Sequence, residues 1–188
     1  MSPKATIIKA ELQVTDLDRH YYASHNLVLA QHPSETPERV MVRLLAFALF
    51  ADERLEFGRG LSDEDEPALW RRDYTGRIEQ WIEVGQPDEM RLRKAAGKSD
   101  EVILVNYGGR AGDVWWAKVG DGLSRLKNLT VIDLPPEALE RIVAQFDRAM
   151  RLTAMIQDRE VQVMSADDET VAFLPTIRKW SETLAPGG

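Results

Sequence analysis

Residues 78–95, IEQWIEVGQPDEMRLRKA, hold the transition on which the fold turns. The first seven residues are rich in β-branched and aromatic side chains and read as a strand ending at Val84. Gly85 breaks it. Pro87 then stands where a proline opens a helix, and Asp88 and Glu89 follow where the helix dipole favours acids. Leu92, Ala95 and Ala96 give that helix an apolar side. A strand passing directly into an amphipathic helix is the unit of an α/β fold, provided another strand follows.

Another strand does follow. EVILVNY, residues 101–107, is nearly continuous in apolar residues, as a strand covered on both faces is. DVWWAKVGDGL, from Asp113, reads as a short helix, LTVIDL (129–134) as a second buried strand, and Pro135-Pro136 as the start of a helix carrying Leu139, Ile142, Val143 and Phe146. Working backwards, Tyr74-Thr75-Gly76 is a turn. SDEDEP (62–67) is an acidic loop leading to a single helical turn at Pro67, and LEFGRGL (55–61) is a short strand broken by glycine. Thr36 caps, and Pro37 and Glu38 open, a helix expected to run to about Arg54. Residues 5–14 and 20–31 alternate apolar and polar around Asp16-Leu17-Asp18 and read as an N-terminal hairpin; 151–156 and 160–164 read as a C-terminal hairpin around Asp158-Arg159. The expectation is an α/β domain bordering on α+β. Its mixed central sheet is flanked by helices and has β-hairpins at both ends. One domain over 1–184 and a loose tail over 185–188 complete it.

The chain has 188 residues, 44% hydrophobic and 29% charged, as in ordinary globular proteins. No apolar run approaches the roughly 20 residues of a membrane helix, and Lys9 and Glu11 interrupt any signal-peptide core. A cytoplasmic protein without a membrane partner is expected. With no cysteine, disulfides, thiolate nucleophiles and thiolate zinc sites are excluded. His20, His25 and His32 have no acidic helix motif nearby, so zinc is not expected either. A net charge of −7 and a pI near 5.1 argue against binding nucleic acid over a broad surface, though not against a local basic groove.

Strand alternation places Ile78, Gln80, Ile82 and Val84 on one face of 77–84, and Glu79, Trp81, Glu83 and Gly85 on the other. Two carboxylates flanking a tryptophan are unusual where buried elements follow. Such carboxylates hold Mg²⁺ or Mn²⁺ in phosphodiesterases, where the ion activates water and neutralises developing charge. Glu79 and Glu83 are about 13 Å apart at strand rise, too far to grip one ion. A second ligand would come from Asp73, from the acidic loop 63–66, or from Glu38. The competing reading makes Glu83 a solvated or ion-paired strand residue, with Arg59 or Arg77 as its partner. The loop from Tyr107 to Asp113 could hold phosphate on its amides, or simply be a turn with Asp113 as the helix cap.

The stretches HPSETPERVMVRLLAFALFADERLEF, DEDEPALW, DYTGRIEQWIEVGQPDEMRLRKA, YGGRAGDVWW, NLTVIDL and TAMIQDREV resemble the bacterial YaeQ family, and the likeness runs along essentially the whole chain. The resemblance implies a fold similar to the αβββαβ core of restriction-endonuclease-like nucleases. It also implies a site that varies their Pro-Asp…Asp/Glu-x-Lys pattern, PD-(D/E)XK. Laid on this chain, the Glu-x-Lys triplet falls on Glu83-Val84-Gly85, with glycine in place of lysine. Gln86, or Lys94 on the following helix, is the substitute at hand, and Arg91 is an equally available cation. Pro87-Asp88-Glu89 follows Glu83 rather than preceding it, and reads as a helix start. The resemblance thus implies a metal-dependent, nuclease-like phosphodiesterase with Glu83, Asp73, Glu79 and Glu38 as candidate ligands and Glu83, Lys94 and Gln86 as candidate catalytic groups. It would use Mg²⁺ or Mn²⁺ and no organic cofactor. The alternative is an inactive protein of the same fold that binds a nucleic acid or a protein.

Overall fold

The structure, a computed structural model, describes residues 4–59 and 63–184; the expected tail lies outside them. In chain order the first elements are strands β1 (Thr6–Asp16) and β2 (Tyr21–Gln31), helix α1 (Pro37–Leu49), and strands β3 (Leu55–Phe57), β4 (Leu69–Arg72) and β5 (Ile78–Val84). Next come α2 (Glu89–Lys98), β6 (Ser99–Asn106), α3 (Arg110–Leu123), β7 (Leu129–Asp133) and α4 (Pro136–Val143). Strands β8 (Ala149–Gln157), β9 (Glu160–Ser165), β10 (Thr170–Phe173) and β11 (Thr176–Lys179) close the chain. Two compact units result, one drawn from Met1–Ala51 and Glu137–Pro175, the other from Asp52–Pro136 and Thr176–Gly188. Both sheets are mixed, so the class is α/β as the patterning indicates. No described helix is long and apolar enough to cross a membrane.

The first unit holds a five-stranded sheet, β10-β9-β8-β1-β2, in which β1 and β8 are parallel and the remaining pairs antiparallel. Period-two patterning sends Ile8, Ala10, Leu12 and Val14 of β1, with Leu152, Ala154 and Ile156 of β8, into the core. At the β1–β2 turn, Asp16 accepts from the amides of Asp18 and Arg19. The β8–β9 turn has positive φ at both Asp158 and Arg159, the two-residue form whose twist matches a hairpin. Asp18 accepts from both of those amides and ties the two turns together. Thr36 caps α1 by accepting from the Arg39 amide at 3.2 Å. The helix stops at Leu49, not near Arg54, because Asp52 accepts from the Arg54 amide and starts a turn.

The second unit holds a six-stranded sheet, β11-β7-β6-β5-β4-β3. Strands β5, β6 and β7 are parallel, joined through α2 and α3. Both helices cover one face: Leu92 and Ala95 of α2, with Val119 and Leu123 of α3, pack on Trp81, Val102, Leu104, Leu129 and Val131. A leucine buried in this way contributes about 1.5–3 kcal/mol. The carboxylate-bearing face of β5 is therefore interior at its C-terminal half. Trp81 and Glu83 are 1% and 4% exposed. Residues from Pro67 form the lead-in to β4 rather than a helical turn. Ala68 and Leu69 are buried, the Ala68 carbonyl accepts from Gly58, and β4 pairs with both β3 and β5. Strands β10 and β11 are additions to the expected order.

Candidate functional site

Glu83 enters the interior because its strand ends under α2, and its charge is met there. The same oxygen, Oε1, accepts from Trp81 Nε1 at 2.9 Å and from Arg91 Nε at 2.7 Å. Trp81 is two residues back on the same strand face; Arg91 descends from the first turns of α2. The other Arg91 nitrogens donate to the carbonyls of Glu64 and Glu66, both at 2.9 Å. The guanidinium thereby ties the acidic loop to the end of β5. Arg59 lies by Glu66, and Arg77 bonds Asp100.

Glu79, Asp73 and Gln86 do not gather around Glu83. Glu79 accepts from Arg54 (2.9 and 3.0 Å) and Arg71 (2.8 Å), and these bonds, Arg54 first, hold its carboxyl below the ordinary value. Asp73 sits at the opposite end of β5, where it organises the turn by accepting from the Thr75 amide and hydroxyl and the Arg77 amide. Those bonds, the Thr75 side chain foremost, lower its pKa. Glu38 lies in the first turn of α1, in the other unit, where the helix dipole accounts for it. Lys94 is exposed on α2, and Gln86 belongs to a different cluster.

A divalent ion does not fit this donor set. It would need a second carboxylate or water-bearing oxygen cage beside Glu83, whereas Glu83 is joined to a guanidinium. Among the described residues no group of three His, Asp or Glu side chains could hold a metal. The proline before Glu83 in the chain is Pro67, followed by Ala68 instead of aspartate. Leu69 lies opposite Ile82, so Ala68 comes beside Glu83 with only a methyl group. Gly85, in the lysine position of the triplet, has φ +91°, a backbone state that a lysine adopts only under strain.

Beside Glu83, Arg91 opens a row of cations along α2. Arg91, Lys94 and Lys98 stand at i, i+3 and i+7, one side of α2. They line a groove of about 240 Å³ together with Trp81, Met90 and the acids Glu64, Asp65 and Asp88. Lys98 Nζ is 4.5 Å from the centre of the Trp81 ring and Arg91 Cζ 6.0 Å, within cation–π range.

A second polar cluster was not anticipated as a unit. At the carboxyl ends of β6 and β7, where open α/β sheets place their ligands, a cavity of about 350 Å³ is lined by Asn106, Tyr107, Arg110, Asp113, Asp133 and Thr176, among others. Gln86 donates to Asn106 Oδ1 and the Tyr107 carbonyl, and Asn106 donates to Asp133 at 3.1 Å. Arg178 bridges Asp133 (2.5 Å) and Asp113. Partial burial works against the Arg178 charge, but these two carboxylates outweigh it and raise its pKa. Gly112 lets α3 approach, since a Cβ there would come within 2.7 Å of the Asn106 amide. Asp113 is therefore an ion-pair partner, and the cap of α3 is Gly109. The terminal polar residues of two parallel strands were a legible signal for Asn106 and Asp133; nothing in the sequence points to Arg178.

The YaeQ protein family model matches residues 1–173. The YaeQ protein of Escherichia coli strain K12 is 48% identical over 159 residues, covering 84% of this chain and 87% of its own length. That of Salmonella typhi is 46% identical over 167 residues, covering 88% and 92%. Crystal structures of YaeQ proteins superpose closely: the one from Xanthomonas axonopodis pv. citri at TM-score 0.89 and 55% identity, covering 93% of this chain and 98% of that one, and the one from Pseudomonas syringae at 0.89 and 39%, covering 94% and 97%.

Proposed function

This chain belongs to the YaeQ family, and on that premise we propose that it is a nuclease-type fold turned to binding a nucleic-acid backbone without cutting it. The order α1-β3-β4-β5-α2-β6 is the αβββαβ order of that nuclease core, which supports the relationship. The observation that carries the reading is Arg91. It stands on Glu83 where hydrolysis would need a metal ion, and it begins the stripe Arg91, Lys94, Lys98 along the groove. A metal at Glu83 would make the same fold a phosphodiesterase, but the guanidinium already supplies the positive charge there. Phosphates are attracted to such a stripe. The acids Glu64, Asp65 and Asp88 that also line the groove balance its three cations and confine contact to a narrow track, consistent with the overall negative charge.

The test is fluorescence anisotropy with labelled single- and double-stranded DNA and RNA over a salt series. Binding should weaken as salt rises, and the Lys94→Ala/Lys98→Ala variant should bind less tightly with a log–log slope smaller by about 1–2. Wild-type protein that does not bind at low salt, or an unchanged slope in the variant, overturns the reading. So does Mg²⁺- or Mn²⁺-dependent cleavage that disappears in Glu83→Gln.

A further inference from the structure

Strand β2 is the outer strand of its sheet, and its sequence carries none of the charges or prolines by which edges are kept from pairing. Its sequence, YYASHNLVLAQ, has no lysine, arginine, acid or proline. All eleven residues pair with β1 in unbroken antiparallel register, so no bulge twists the edge away. Every second residue of such a strand directs its N–H and C=O away from the neighbour it is paired with. Near its end the Arg43 side chain donates to the Ala30 carbonyl. By comparison, the opposite edge of the same sheet is β10, only Thr170–Phe173.

Inward residues of β1 are buried, whereas Tyr21, Ala23, His25 and Leu27 of β2 are only half-buried. On the outward face Tyr22 and Val28 are 58% and 60% exposed. These two large apolar residues stand three positions either side of His25. A two-fold axis at His25 would place Tyr22 of one chain opposite Val28 of the other, twice, and Ser24 opposite Asn26. Tyr21 would then face Leu29, and Ala23 would face Leu27. Aromatic and β-branched side chains are favourable cross-strand partners, and an uncharged strand meets no like-charge repulsion when paired with itself.

We infer that β2 is a self-pairing edge: a second copy of this chain adds antiparallel to it about an axis at His25, making one continuous ten-stranded sheet. The occupant is a second copy because the uncharged strand meets no like-charge repulsion against itself, and an axis at His25 brings its two exposed large apolar residues, Tyr22 and Val28, opposite each other. The interface is isologous, as two-fold symmetry requires. It is independent of the groove on α2.

The experiment uses the absence of native cysteine. Light scattering on the eluting full chain should give twice the 21.3 kDa monomer mass, and Val28→Lys, at an exposed position, should give the monomer with unchanged circular dichroism. Ser24→Cys and Asn26→Cys variants, mixed and oxidised, should form a disulfide heterodimer, since opposed residues bring Cα atoms within bridging distance. Either variant alone should cross-link far less. A monomeric wild type, a dimer untouched by Val28→Lys, or equal cross-linking by each single variant would overturn the inference.

Discussion

Replacing Arg91 by Met tests whether that guanidinium is committed to Glu83. The substitution keeps the aliphatic stem while removing the bond to Oε1 and those to the Glu64 and Glu66 carbonyls. The Glu83 carboxylate is 4% exposed and keeps its Trp81 bond. Breaking a buried ion pair costs about 3–5 kcal/mol, and the partly exposed Arg91 side chain places this case near 3. For a chain of this size that lowers Tm by about 6–12 °C. Glu83→Gln retains an acceptor for the tryptophan and should cost about 1–2 kcal/mol. The double variant should then be less destabilised than the two singles added, by about 1–3 kcal/mol. Urea denaturation followed by circular dichroism measures all three. If Arg91→Met costs under about 1 kcal/mol, or the two substitutions simply add, the guanidinium is not what holds Glu83.

Glu101 is buried with neither carboxylate oxygen in a well-formed hydrogen bond, and burial raises its pKa against the opposing pull of nearby Ser181, Thr183 and Lys179. A raised folded pKa gives stability that is complete below the ordinary 4.5 and lost as pH climbs through the folded value. Glu101→Gln should therefore melt higher at neutral pH, by about 1–2 kcal/mol, and lose that advantage below pH 4.5; a variant less stable at neutral pH would contradict the sign. Thr36→Ala removes the cap of α1 and should cost about 1 kcal/mol in a denaturant titration. Gly85→Lys, which rewrites the triplet to Glu-x-Lys, should cost about 1–2 kcal/mol through its positive φ and should not confer cleavage in a nuclease assay with Mg²⁺.

Elements with strong periodicity and end signals were legible in the sequence. The Thr36-Pro37 start of α1, the strand read at 77–84 and found at Ile78–Val84, the buried strands β6 and β7, and the Asp158-Arg159 turn stand where patterning puts them. Shorter segments were decided by partners distant in the chain. Proline at 67 suggested a helical turn, but Leu69 and Trp70 gain more by pairing with β5 than a single turn could offer. Strands β10 and β11 are four residues each, too short for alternation to declare them. Around the site, local order placed Glu83 correctly at a strand end, yet not its company. Arg91 was one cation among several, chosen because it lies on the α2 face that covers Trp81. Arg178 reaches Asp133 from 45 residues away, through the pairing of β11 with β7, which no local pattern encodes.

Glu83 is committed to Arg91 rather than to a metal ion. Calorimetric titration of Mn²⁺ into wild-type protein and Glu83→Gln tests it most directly. The two proteins should give the same weak binding or none. A Mn²⁺ site present in the wild type and abolished by Glu83→Gln would contradict this pairing and return Glu83 to the role of a metal ligand.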